Sequence, residues 1–423
     1  MILRVSWAVL NYAGVVLLAR WLAPDDYGIY AFIMSGVMFL SVICGMGAQA
    51  TLARFVGQYI GQEKPGLGRG AIQFFTWRVL MFSCSVAALL IVIAVGAQAT
   101  GWIEDARPFA VGALILPAFT VIDAQLGTAR AFGSVFFALA PKDVLWRGAL
   151  IPLALGVTMF VVPSHQLVTL LGGSALLITL AALGQRAALK RLTPDDFRSA
   201  EPEFDRPEWK SVTGPIWFTA VTANMLNTVD VITLGFFLPE EQVGWYFAAS
   251  RTAKLVSFLL TVTTIVVAPQ IARHFYAGEM GKLRRLLKLA ALAIFGPTFV
   301  AFWICVLFSD QILGLFGPAF LAVRPELLIL AGGQAVNAAM GCVTAVSNMT
   351  GHQKQAAMIQ IPVTFAASFL MIFAAWLYGS IGVAWVTSGA IVVMNIAMWI
   401  YVRRNTGLDP SIMGLILPPK PRS

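Results

Sequence analysis

Arg251 and Lys254 are the only charged residues between Glu241 and Arg273. At a spacing of three they share one face of a helix. Two cations on one face suit a diphosphate, the arginine by bidentate contacts and the lysine as a point charge. Upstream, Asn224, Asn227 and Asp230 are also three apart and form a polar ridge. That ridge could bind a coupling Na+, take up a proton, or join helices by hydrogen bonds. Asp230 could equally pair with Arg251 as a structural ion pair. Arg78 stands in another apolar stretch, and Arg20 ends a third beside Asp25 and Asp26. Asp123, Gln334 and Asn337 complete the polar residues set among apolar neighbours, the last two on a shared face where helix packing would explain them.

The elements that carry these residues are membrane spans. Hydrophobic residues make up 59% of the 423-residue chain and charged residues 12%, against about 25% charged in soluble proteins. Stretches long enough for a ~30 Å hydrocarbon core recur from end to end. The expected fold is an all-α polytopic membrane protein with about twelve transmembrane helices, the fifth at 143–163 and the sixth at 165–185. An Arg or Lys at a span centre costs about 2.5–3.5 kcal/mol if it faces lipid. Arg78, Arg251 and Lys254 must therefore point inward, pair or snorkel. Arg78 lies within snorkelling reach of the inner boundary.

Of the 29 basic residues, twenty-three fall in segments on one side of this topology and three, Arg20, Arg107 and Arg324, on the other. The bias puts both termini in the cytoplasm and accounts for the net charge of +9 through anionic membrane lipids rather than nucleic acid. The first apolar run has no small-residue cleavage site and reads as a retained span. Cys44, Cys84, Cys305 and Cys342 sit in apolar spans as small hydrophobes. The three histidines lack metal-ligand spacing, and no phosphate loop of the GxxxxGK[ST] form occurs.

The chain repeats itself. "LNYAGVVLLARWLAPDDYGIY" from Leu10 aligns with "LNTVDVITLGFFLPEEQVGWY" from Leu226, with Asn11/Asn227, Gly28/Gly244 and Tyr30/Tyr246 at one offset. Six spans per copy make the two copies parallel repeats. The expected organisation is a lobe at 1–185, a cytoplasmic linker at 186–212, a second lobe at 213–402 and a cytoplasmic tail at 403–423. Two such lobes are a transporter plan, with substrate bound where the repeats meet.

"LLARWLAPDDYGIYAF" followed by "GAQATLARFVGQY" resembles the opening of oligosaccharide-lipid flippases of the Wzx type, in the multidrug/oligosaccharidyl-lipid/polysaccharide exporter superfamily. "NTVDVITLGFFLPEEQVGWYFAASRTAKL" and "VVAPQIARHFYAGEMGKLRRL" look like the same family's seventh-to-ninth-span region. These blocks cover about a third of the chain. The family usually carries more sequence ahead of its first-loop arginine than the nineteen residues before Arg20.

The resemblance implies a non-enzymatic function: moving an undecaprenyl-diphosphate-linked glycan across a bacterial inner membrane for polysaccharide synthesis, by alternating access, with glycan polymerase or export machinery as partners. It implies a cationic cavity, for which Lys254, Arg251, Arg78 and Arg20 are the candidates. Asp230, Asn227 and Asn224 are the candidate coupling-ion or structural ridge, with Na+ or H+ as the coupling ion and no other cofactor. A cation-coupled multidrug exporter of the same superfamily is the alternative, and Asp230 favours it. A membrane polymerase or transferase would need a larger extramembrane region than the outer segment at 309–321 provides.

Overall fold

The computed structural model describes residues 2–415, with side chains from Ser6 onward. Met1 and 416–423 of the expected tail, with Lys420 and Arg422, lie outside the described residues, as does the Arg4 side chain. Every element among the described residues is helical, and packing divides the chain into two compact units, 1–228 and 229–423. The division falls inside one helix, α11.

The first unit begins with α1 (Ile2–Trp21), α2 (Pro24–Cys44) and α3 (Ala48–Gly61). It continues with α4 (Pro65–Ala99), α5 (Arg107–Ala113) and α6 (Ile115–Ala131). Then α7 (Val135–Ala140) passes through a π-helical turn, Pro141–Trp146, into α8 (Arg147–Phe160). The long α9 (Pro163–Leu192), the short α10 (Asp195–Ser199) and the first part of α11 (Arg206–Phe237) complete it. Pro starts α2, α4 and α9, where its missing N–H costs nothing. The expected boundary between the fifth and sixth spans is a real break, since α8 stops at Phe160 and α9 starts at Pro163.

The second unit takes the end of α11, then α12 (Glu240–Val256), α13 (Phe258–Tyr276) and α14 (Met280–Leu307). After α15 (Ser309–Gly314) and a 3₁₀ turn (Pro318–Val323) come α16 (Arg324–Ala339), α17 (Val343–Met349) and α18 (Gln353–Thr406), with a last 3₁₀ turn at Ile412–Leu415. α18 is two helices joined at Gly379, whose φ of 60° and ψ of −144° no L-residue adopts without strain. Ten stretches among the described residues are long and apolar enough to cross a bilayer. One of them is the double helix α18. With α1 added, the expected twelve crossings are present, and the chain is a multi-pass membrane protein.

The fifth span differs from expectation. Its helix starts at Val135 rather than at 143, so the candidate span Val135–Phe160 takes in Lys142 as well as Arg147, both counted among the basic residues of the cytoplasmic side. The burial of these charges is made tolerable locally. Lys142 Nζ donates to both carboxylate oxygens of Asp123 on α6, at 2.6 and 2.8 Å, and sits 3.8 Å from the Phe119 ring centroid. Arg147 donates to Asn11 on α1, and the rings of Trp7 and Trp146 flank its guanidinium. Lys142→Met is expected to destabilise the first unit by up to about 3 kcal/mol, because it strands the Asp123 carboxylate. Adding Asp123→Asn should restore most of the loss, as read by thermal melts of the single and double variants.

Between α9 and α11 the chain forms a strap across the ends of α3, α4 and α6. Arg69 donates to the carbonyls of Arg198 and Ala200, the second at 2.7 Å, and the Glu203 N–H donates to the Gly66 carbonyl at 3.0 Å. Gly70 allows this approach, since a Cβ there would collide with the Glu203 carbonyl. Phe197 and Trp209 enter the cluster of Leu52, Phe55, Tyr59, Ala71 and Phe75. The second unit has a counterpart after its last span. Leu408 joins the core with Leu283, Leu287, Met398 and Val402, while Asp409 accepts from the Trp399 indole at 2.9 Å and the Ser411 hydroxyl at 2.6 Å. At the turn into α14, Lys282 and His274 both hydrogen-bond Glu279 and hold its carboxyl below the usual range.

Candidate functional site

The second unit contains a buried acidic core in the middle of its helices. Asp230 closes the polar ridge of α11 and is fully buried, as is Tyr246 on α12. The Tyr246 hydroxyl and the Ser250 hydroxyl both donate to Asp230 Oδ2, each at 3.4 Å. Asp230 Oδ1 has no hydrogen-bond partner. A second carboxylate, Glu326 in the first turn of α16, is 3% exposed. Its Oε1 accepts from the Ser380 hydroxyl on α18 at 2.6 Å, while Oε2 and the nearby Thr387 Oγ1 have no partner. Tyr246 bonds Asp230, and Glu326 and Thr387 lie near enough to act on its hydroxyl.

Burying a charged oxygen without a partner costs several kcal/mol. Two carboxylates with one satisfied oxygen apiece, plus a hydroxyl, form a set of hard oxygen donors. Such a set suits a proton or a small cation such as Na+. Among the described residues no group of three or more His, Cys, Asp or Glu could hold a transition metal.

α12 also carries the two cations, on the turns that follow Tyr246. The Arg251 guanidinium lies 4.6 Å from the centroid of the Phe247 ring, one turn away. The residue is half-buried, as is Lys254. Lys254 is fourteen residues along α12 from Glu240, some 21 Å at the helical rise. The structure thus gathers Asp230, Arg251 and Lys254 in one unit, with Tyr246 and Glu326 between α11, α12 and α16.

The other expected site residues are elsewhere. Asn224 accepts from the Thr228 hydroxyl at 3.3 Å, and Asn227 is exposed and donates to the Ala223 carbonyl at 3.2 Å. Neither is buried as Asp230 is, six residues after Asn224 and three after Asn227. Arg78 is exposed on α4 and turns back one turn over the Phe74 ring, 5.7 Å from its centroid. That is the direction a snorkelling side chain takes toward the start of the helix. Arg20 is exposed at the end of α1.

Sequence reasoning missed Glu326. Beside Arg324 and Pro325 it reads as an ordinary acid in a helix's first turn. Only the packing of α16 against α12 and α18 makes it internal.

No family model matches the chain. A probable low-salt glycan biosynthesis flippase of Haloferax volcanii, Agl15, is 22% identical over 219 residues, 51% of this chain. The match covers 44% of that protein, so the chain spans less than half the length of this curated relative. The fold is that of the transporters and flippases of the multidrug/oligosaccharidyl-lipid/polysaccharide superfamily. An inward-facing multidrug resistance MATE family transporter of that superfamily superposes with a TM-score of 0.77 at 15% identity, covering 95% of this chain and 97% of its own. The lipid II flippase MurJ in an inward closed conformation gives 0.69 at 15% identity, covering 95% and 87%. Both findings agree with the resemblance read from the sequence.

Proposed function

We propose that the chain flips a lipid-diphosphate-linked oligosaccharide across the inner membrane, by alternating access driven by a proton or Na+. The observation that carries this reading is the composition of α12 and its neighbours. One helix carries Arg251 and Lys254, two half-buried cations three residues apart, the charge type that an anionic head group calls for. A turn earlier it holds Tyr246, bonded to buried Asp230 and within electrostatic reach of buried Glu326. Lys254 and Arg251 bind the diphosphate, and Asp230 and Glu326 hold the coupling cation when it is bound. The cation would supply the ligand contact that the unpartnered oxygens lack. The partial match to a glycan biosynthesis flippase supports the substrate class. Arg78 and Arg20 are candidate contacts for the head group outside this cluster.

A second reading has its own observation. A core built from Asp230, Glu326 and Tyr246 also suits a cation-coupled drug exporter, and one structural neighbour is named as a multidrug resistance MATE family transporter. Transport by the purified chain in proteoliposomes separates the two. Lys254→Ala with Arg251→Ala should cut the flipping of a lipid-diphosphate oligosaccharide by about 100-fold, equivalent to roughly 2.7 kcal/mol. Efflux of a cationic dye such as rhodamine 6G should be absent from wild type. Dye efflux that survives the double substitution, with no glycan flipping, would put the exporter first.

A further inference from the structure

Each half breaks a helix within its second span, about one turn apart at the repeat's own offset, and the two interruptions are filled differently. In the first half α2 stops at Cys44 and α3 starts at Ala48. There the Trp217 indole donates to the Ile43 carbonyl at 3.0 Å, and the backbone of Thr213 and Trp217 closes on Gly47. An apolar ring seals that break. In the second half α12 stops at Val256 and α13 starts at Phe258. Polar side chains meet here instead. The Ser257 hydroxyl donates to Gln334 Oε1 at 2.6 Å and lies 3.4 Å from the Lys254 carbonyl. Asn337 Nδ2 donates to the same Gln334 oxygen at 3.4 Å.

These bonds use the Gln334 carbonyl twice and leave its amide N–H groups with no acceptor among the described residues. Asn337 Oδ1 likewise accepts nothing, and neither atom is sealed inside the unit. A donor and an acceptor therefore stand one helical turn apart on α16, next to the turn of α12 that carries Lys254. Helix-to-helix adhesion needs only the Ser257–Gln334 bond. An interrupted helix in corresponding spans of two repeats points to where transporters of repeated architecture bind substrate, and here the interruption in the second half is the one lined by polar side chains.

We propose that this break is a sugar-recognition subsite. Gln334 Nε2 donates to, and Asn337 Oδ1 accepts from, the hydroxyl or acetamido groups of the first sugar on a diphosphate held by Lys254. The assignment rests on the flippase reading above and extends it to the residues that select the glycan. Amides covered by a bound head group but left unmatched by the wrong sugar are costly, and that cost is what makes such a site discriminate.

The test uses the full chain in lipid nanodiscs and calorimetric binding of three probes: farnesyl diphosphate and its N-acetylglucosamine- and galactose-linked forms. Wild type should bind farnesyl diphosphate and bind at least one sugar-linked form about tenfold more tightly. Gln334→Leu with Asn337→Leu should erase that tenfold preference while leaving farnesyl diphosphate binding within about twofold. Asn337→Leu alone, at a half-buried position that does not hold Ser257, should lose part of it without lowering the thermal midpoint. Lys254→Ala should weaken all three probes together. Retention of the sugar preference in the double variant would overturn the subsite, and so would equal binding of all three probes by wild type. Failure of wild type to bind farnesyl diphosphate would remove the flippase reading and the subsite with it.

Discussion

Asp230→Asn is expected to uncouple the protein, lowering cation-driven transport by about 100-fold, near the top of the usual coupling range of roughly 1–3 kcal/mol. The variant should fold at least as well as wild type. Asn is isosteric and can still accept from Tyr246 and Ser250, yet it no longer buries a charge with an unpartnered oxygen. Stability should therefore respond to the cation in one protein only. A ligand that binds only the folded state stabilises it by about 2.7 kcal/mol at a hundred times its dissociation constant. If Na+ is the ion, the wild-type melting temperature should climb with NaCl but not with choline chloride, and the variant's should stay flat. Glu326→Gln should reproduce the flat response, since the two acids share Tyr246. A wild type indifferent to Na+, with transport that follows the proton gradient and fails in both variants, would assign the proton instead. Full coupled transport in Asp230→Asn would remove the core from the mechanism.

The largest loss of stability should come from Trp209→Ala. The Trp209 side chain is completely buried, donates its indole N–H to the Tyr59 hydroxyl at 2.8 Å, and packs against Phe74, Phe75 and Phe204. Truncating a buried Trp costs about 3–5 kcal/mol. Stranding the Tyr59 hydroxyl adds about 1–3 kcal/mol more. The strap should then become the first site cut by protease, between Thr193 and Asp205. Gly70→Leu attacks the same seat from the α4 side and should also expose it. A strap that stays protected in Trp209→Ala would mean that Arg69 and Phe197 hold it unaided.

The membrane class, the repeat and the span count were legible in the sequence because apolar length and spacing are local properties. α12 illustrates this well, since its two isolated cations mark a special face without reference to any other helix. What escaped was set by pairing at a distance. Lys142 and Arg147 read as residues at the cytoplasmic edge of the fifth span because Pro141 and three charges interrupt the apolar run. The π-helical turn carries the chain through that interruption, and Asp123 and Asn11 answer the charges from helices nineteen and 136 residues away. Asp230 was legible as unusual, but its partners were not. Tyr246 was noticed only as a repeated residue, and Glu326 looked like a helix-start acid until Ser380, 54 residues on, was placed against it. The Asn224–Asn227–Asp230 ridge is regular in sequence and divided in space, with the two amides bonded locally and only the acid turned into the second unit's core.

The strap also gives the first half a completion time. Membrane proteins are made in order, and their domains settle as units during synthesis. The helices from α1 to α9 can be inserted while the apolar seat among α3, α4 and α6 is still bare, because the residues that fill it, Phe197 and Trp209, are translated later. Once Trp209 is in place, that seat is covered before α12 to α18 exist. A nascent chain halted just short of residue 197 carries nine helices and an uncovered seat, one halted well past Trp209 a covered one, and a quality-control protease would tell the two apart.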